Sequence, residues 1–267
     1  MIEARIAGIG LLGPGLPDWP TGRRVLSGAA DYAPGDVVPP VPDGLSPRER
    51  RRTSFAVRLA LAAAAEAVRD AHEDAARLPT VFGWAHGDGV IVQRLLETLA
   101  TPERYVSPTD FHNSVHNVAV GYWAIASGSH EPCSSIAAAM DTYPASLLKA
   151  LAEVHCAGRS VLHIACEAPF DEPLYSACPT GAPLALAMVL TPPQEAGGIA
   201  RIRADYRADG GNVTKPATAA LRPLWELNPA ARAIPLLEAV ARAYAAAQTM
   251  AIPYGPEGRL HVTVAPC

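Results

Sequence analysis

Apolar residues in this chain fall into short runs of strand length separated by longer stretches in which they recur at helical spacing. Residues 4–11 read as a strand, 53–71 as a long Ala/Leu helix with its polar residues on one side, 78–84 as a second buried strand and 88–99 as a helix. A loop closes at Asn117, and a short helix runs from there to Gly128. A strand of small residues spans 131–139, a helix starts after Met140 and ends at Gly158, and 160–166 form a buried strand. Residues 184–190 and 199–206 add two strands, and a helix over 228–249 precedes a last strand at 259–265. The alternation predicts an α/β chain with a mixed sheet flanked by helices, its core made by strands 80–83, 134–139, 160–166 and 184–190. Between the first strand and the long helix lie a Gly/Pro-rich turn and a proline-rich stretch over 34–47, which predicts no regular element.

Composition narrows the class. The 267 residues, 49% apolar and 18% charged, suffice for a full core and read most simply as one structural domain. The net charge of -4 is modest, and the basic residues are scattered apart from Arg48, Arg50, Arg51 and Arg52, so no nucleic-acid footprint is expected. That arginine run is expected to cap a helix entrance or meet an acidic partner. No apolar run reaches the roughly 20 residues of a membrane span, and the first residues carry no signal-peptide pattern. A cytoplasmic location is the expectation. Five unpatterned cysteines, Cys133, Cys156, Cys166, Cys178 and Cys267, read as reduced thiols.

Around residues 106–167 the order of parts carries a family resemblance. Asn117 and Gly121 fall in an N-x-x-x-G arrangement, Glu131 and Pro132 stand at the entry to the small-residue strand, and eight residues after that proline comes the strand-to-helix elbow at Met140. This layout resembles a beta-ketoacyl synthase, whose elbow carries the cysteine that takes the acyl chain. The resemblance implies the N-terminal half of a thiolase-like fold over residues 1–206, with a short extension of helix and strand over 207–267 as a reduced second half. It also implies that two histidines used for decarboxylation in the family have no counterpart here, since the late His261 reads as core or edge filling within its strand. A thioether has no ionisable proton and forms no acyl thioester, so acylation at the elbow by the family route is absent.

A silent synthase-like chain with SVHN at 114–117, GYW at 121–123 and NPAAR at 228–232 is similar to the chain length factors of type II polyketide systems, in particular the short subunits of aryl polyene and xanthomonadin-type clusters. The similarity implies an active ketoacyl synthase as heterodimer partner and an acyl carrier protein reached through the complex. It implies that Val90, Ile91, Leu95, Phe111, His112, Val115, His116 and Asn117 face the partner or its acyl tunnel. Pro132, Cys133, Ser134, Ser135 and Ile136 would form the dimer strand. Two further classes stay open: an acyl-transferring enzyme using Cys133 or a serine, and a homodimeric scaffold for a carrier protein.

Other motifs resolve to plainer readings. Gly8, Gly10 and Gly13 spell G-x-G-x-x-G, but Pro14, Gly15 and Pro17 follow where a dinucleotide site needs a helix start, so no cofactor is expected and the glycines are expected to permit a tight turn. His112 and His116, four apart, have no acidic or cysteine ligand at metal spacing and read as interface hydrogen-bonding groups, so no metal is expected. Cys133 stands seven residues before the elbow, about 23 Å of extended chain, too far to replace the nucleophile. Ser134 and Ser135 show no hydrolase triad pattern.

Overall fold

A computed structural model gives the fold, and it describes residues 1–208, 211–243 and 246–267. Eight strands form one sheet: β1 (Ile2–Leu12), β2 (Thr80–Gly83), β3 (Cys133–Ile136), β4 (Val161–Glu167), β5 (Leu184–Thr191), β6 (Ala200–Arg207), β7 (Gln248–Pro253) and β8 (Arg259–Ala265). Their spatial order is β3-β2-β4-β5-β1-β6-β8-β7. β3, β2 and β4 run parallel, while every pairing from β4 onwards is antiparallel, so the sheet is mixed as expected. Buried residues alternate with exposed ones in β6, whereas β4 and β5 are buried at every position. That pattern belongs to strands covered on both faces. The expected core set is corrected at one place: β3 is an edge strand, and the middle of the sheet is β5 and β1.

Helices cover both faces. The first two after β1 are α1 (Trp19–Ser27) and α2 (Pro47–Arg50), followed by α3 (Phe55–Ala71), α4 (Gly89–Ala100), α5 (Pro108–Asn113) and α6 (Val118–Ser127). Then come α7 (Thr142–Ala157), α8 (Leu174–Ala177), α9 (Arg222–Leu227) and α10 (Ile234–Arg242). Helix α3 packs with Trp84 and Trp123 in one core, and α7 and α10 pack with Leu186 and Val262 in the other.

Local chemistry explains the elements missing from the sequence reading. Asp18 caps α1 by accepting from the Thr21 amide at 2.7 Å, and Pro20 sits in its first turn, so the Gly/Pro-rich stretch contains a helix start. Ser46 and Glu49 form a capping box around α2, which the arginine run itself builds rather than capping α3. Arg50 donates to the carbonyls of Leu45 and Asp43. Ser107 and Pro108 start α5 inside the expected loop. The helix expected over 228–249 is shorter: Ala230–Ala233 is a 3-10 turn, α10 ends at Arg242, and β7 begins at Gln248. Ala243 closes α10 in the left-handed conformation, and Tyr244 and Ala245 lie outside the described residues.

Gly8 and Gly10 lie within β1, not in a turn. A Cβ on Gly8 would come within 2.3 Å of the Ala67 carbonyl oxygen, and one on Gly10 within 1.9 Å of that of Ala63, so the glycines exist to let α3 approach the sheet. Only Gly13 serves a turn, through its paired backbone bonds with Leu16.

His163 of β4 is wholly buried against α7, 2.9 Å from the Ser146 hydroxyl. Because Ser146 donates to the Tyr143 carbonyl, His163 Nε2 carries the proton and donates to Ser146, leaving Nδ1 without a partner. Burial pushes the imidazole down from 6.5 to about 3. Its folded value lies below its unfolded one, so this stabilisation is complete above pH 6.5 and is lost as pH falls from 6.5 towards 3. Urea unfolding at pH 7 and pH 5 should show an acid loss about 2 kcal/mol larger in the native chain than in His163→Gln, which keeps the bond to Ser146 but cannot charge. Equal losses in both chains would show that His163 does not carry this dependence.

Candidate functional site

Three parallel strands end on the same side of the sheet, and the chemistry-bearing side chains follow those ends, as in other open α/β sheets. β3 leads into the elbow. Ala138 has an irregular backbone (φ -151, ψ 41), and Ala139 is left-handed (φ 47), a conformation that costs a non-glycine residue about 1 kcal/mol or more. Met140 follows in a 3-10 turn and is half-buried. The Thr142 hydroxyl holds the turn from inside by accepting from the Ala138 amide at 2.9 Å and donating to the Ala139 carbonyl at 2.7 Å. Asp141 ties it to the β7–β8 turn by accepting from the Gly255 amide. The turn between β3 and α7 is therefore held by side chains on both sides, with the thioether of Met140 at its centre.

His116 is fixed next to β3. Its Nε2 lies 2.5 Å from the Trp84 carbonyl oxygen, which can only accept, so Nε2 is protonated and Nδ1 accepts from the Ser135 hydroxyl at 2.9 Å. The sequence reading had no partner for Ser135, and the structure supplies one from 19 residues away. It is no hydrolase triad, because the second nitrogen of His116 meets a carbonyl where a carboxylate would be needed. His112 points elsewhere, edge-on to Tyr122 with ring centres 5.9 Å apart. The two histidines thus do not converge, and no acid, cysteine and histidine cluster spaced for a metal exists among the described residues.

The expected tunnel-facing residues divide into two groups. Val90 and Ile91 line a cleft of about 450 Å³ between α4, α5 and the start of α3, rimmed by Arg51, Arg52 and Arg94 and floored by Asn113 and Ala168. Asn113 is locked there by donating to the Arg52 carbonyl at 2.7 Å. Phe111 and Val115 do not line this cleft; they stand 65% and 44% exposed on the outer surface, together with Leu96, Leu99 and Tyr105. Leu95 is half-buried, and Asn117 caps α6 without a side-chain bond. Arg94 and Asp110, 2.9 Å apart, join α4 to α5 so that these apolar side chains ride on one braced unit. A larger cavity of about 550 Å³, between residues 40–44, α3 and α6, contains none of the expected site residues.

In β3, Cys133 is exposed and Ser134, Ser135 and Ile136 are half-buried after the exposed Pro132. Among the described residues β3 pairs with β2 alone. His261 sits half-buried mid-strand in β8, paired with Asp205 and Ala251.

Comparison with known proteins places this geometry. The sequence model for the beta-ketoacyl synthase N-terminal domain matches residues 27–226. The chain belongs to the beta-ketoacyl synthase N-terminal domain family. No curated protein matches it. Among solved structures it is similar to the ketosynthase ApeO in complex with its chain length factor ApeC from Xenorhabdus doucetiae, at 20% identity and a TM-score of 0.74, covering 98% of this chain and 100% of that one. The ishigamide ketosynthase/chain length factor is similar at 13% identity and a TM-score of 0.76, covering 100% and 99%. A ketosynthase from module 1 of the bacillaene synthase of Bacillus amyloliquefaciens FZB42 matches at 14% identity and 0.60, covering 79% of this chain but 47% of that one. At such identities the likeness concerns the fold, which is thiolase-like. Among the described residues no helix is long and apolar enough to cross a membrane.

The geometry at His116 makes a direct prediction. His116→Ala strips the Trp84 carbonyl and Ser135 of their shared partner and should cost about 1–3 kcal/mol in urea unfolding, whereas His112→Ala, at an exposed ring contact, should change stability by less than about 0.5 kcal/mol. Equal costs would show that the His116 bridge does not hold the elbow's surroundings together.

Proposed function

We propose that this chain is the non-condensing subunit of a ketoacyl synthase pair, a chain length factor that shapes its partner's acyl tunnel in aryl polyene-type polyketide synthesis. The observation that carries this reading is Met140: an elbow braced by Thr142 and Asp141 is retained while the side chain at its apex cannot be acylated. Preserving a strained backbone without its chemistry fits a protein whose shape is used by a partner.

Two surface features support the pairing. β3 is a short open edge, able to add a strand across a twofold or pseudo-twofold axis. A second feature is the apolar set Leu96, Leu99, Tyr105, Phe111 and Val115, exposed on α4, on α5 and on the chain flanking α5. Exposed large side chains in such number mark an interaction surface. The interface is expected to bury more than about 2,000 Å² in total, in the range of obligate pairs. In this reading residues 1–206 supply the synthase-like half, 207–267 its short extension, and an acyl carrier protein is met only through the complex.

Bulk at the tunnel end sets product length, because overfilling a packed cavity costs about 1–3 kcal/mol, enough to slow one further extension by about tenfold. Co-expression with a ketoacyl synthase should give a stable heterodimer in size-exclusion chromatography. Reconstituted with carrier protein, Phe111→Ala should lengthen the products and Val90→Trp shorten them while the heterodimer stays intact. An unchanged length distribution in both variants would reduce this subunit to a stabilising role, and failure to co-elute would remove the pairing altogether.

A further inference from the structure

A second constellation lies outside the elbow. β2 and β4 are parallel neighbours with Gly83 opposite Ala165, so the chain just past β2 and the last residue of β4 emerge side by side. There the Glu167 carboxylate accepts from the Ala85 amide at 3.0 Å, and the next residue, His86, brings Nδ1 to 3.3 Å from the same oxygen, Oε2. The far side of the imidazole meets a thiol: Cys178 Sγ is 3.4 Å from His86 Nε2. Cys178 ends α8, where its amide donates to the Leu174 carbonyl. Phe170 packs edge-on against His86 at 5.6 Å and fills the space beside Gly89, where a Cβ would overlap its ring, so the segment after β4 is seated over the imidazole.

These three side chains come from separate segments, and each stands in the order a nucleophile needs: thiol, imidazole, carboxylate. Glu167 is fully buried, its Oε1 has no hydrogen-bond partner, and the His86 side chain is 22% exposed, so the carboxylate is spent on a histidine that solvent can reach. His86 Nδ1 lies 3.3 Å from the carboxylate without being aligned as a hydrogen bond, and a proton held between them leaves Nε2 to take the thiol proton. Burial raises the Glu167 carboxyl, opposed by His86 and by the amides of Ala85 and Ala168. Nearby Asp88 uses Oδ1 to cap α4, accepting from the Ile91 amide. The neighbouring thiol Cys166 is no rival, since burial, then the charges of Glu167 and Asp88, hold its proton on.

We propose that Cys178, His86 and Glu167 form an acyl-accepting cysteine site for thioester substrates, separate from the silent elbow. Cys178 would pass its proton to His86 Nε2 and attack the thioester carbonyl carbon. The tetrahedral species collapses by breaking the bond to the donor sulfur, and the departing thiolate takes the proton back from His86. The result is an acyl-Cys178 and a free donor thiol, with no change of oxidation state. Glu167 is a positioning residue, holding the imidazole in one tautomer.

The site can be tested on the full chain alone, so its fate is independent of the heterodimer. The chain is incubated with octanoyl-N-acetylcysteamine at several pH values, and acylation is mapped by peptide mass spectrometry, with the exposed Cys133, Cys156 and Cys267 as internal references. Cys178 should acylate at least about tenfold faster than these three near pH 7, with a rate–pH profile that differs from theirs. His86→Asn should abolish the advantage and return the profile to that of the reference thiols. Glu167→Gln should change the profile as well as the rate, which a merely structural carboxylate would not do. Acylation of Cys178 no faster than the reference thiols, or a pH profile unchanged in His86→Asn, overturns the proposal even if Glu167→Gln fails to fold.

Discussion

The close contact between α3 and β1 is the constraint on which the rest of the structure depends. β1 pairs with β5 along most of its length, but its pairing with β6 stops at Ile6. Past that point the amides of Ile9 and Leu11 are satisfied by carboxylates of α3, Asp70 at 3.0 Å and Glu66 at 2.9 Å, and Glu66 also accepts from the Trp19 amide at 2.7 Å, which sets the start of α1. The helix can act as a surrogate strand only because Gly8 and Gly10 let Ala63 and Ala67 lie against the sheet backbone. Burial raises the Glu66 carboxyl while the Leu11 and Trp19 amides draw it down, as expected of an acid used in place of a ladder partner. With α3 fixed, its first two residues and the turn before it, residues 51–54, form one wall of the cleft that holds Val90 and Ile91.

From that frame the parallel trio β3, β2 and β4 delivers its ends to one side, and the candidate chemistry divides there. At the end of β3 the backbone makes a left-handed turn at Ala139, and the next side chain, Met140, is a thioether with no proton to give up. At the ends of β2 and β4 an imidazole and a buried carboxylate meet a cysteine carried in from the next segment. The two strand ends thus differ in chemistry: a thioether at one, a thiol, an imidazole and a carboxylate at the other.

Much of this was legible in the residues. Seven of the eight strands, all but β7, the Asp88 and Asn117 helix starts and the Gly128 and Gly158 stops follow from period and capping chemistry, and the Pro132-to-Met140 spacing pointed to the elbow. What escaped has physical reasons. Short helices such as α1 and α5 carry too few residues for a periodic signal and are announced only by Asp18–Pro20 and Ser107–Pro108. The end of α10 rests on a left-handed alanine, Ala243, which sequence chemistry does not favour. Contacts such as His116 with Ser135 or His86 with Cys178 join residues far apart in the chain, and no local pattern encodes them. Phe111 and Val115 are expected with Val90 to face the partner or its acyl tunnel, and their separation from the Val90 cleft follows from the placement of α5, tied to α4 by Arg94 and Asp110.

The central claim is that the open edge at β3 and the apolar face of α4 and α5 are completed by a ketoacyl synthase. Hydrogen–deuterium exchange of this chain, alone and bound to a co-expressed synthase, reads it directly. The account predicts strong protection of the amides of 132–136 and 107–117 on binding, with β6, β7 and β8 unchanged. Equal exchange of those two segments in both states, with the complex formed, would contradict it.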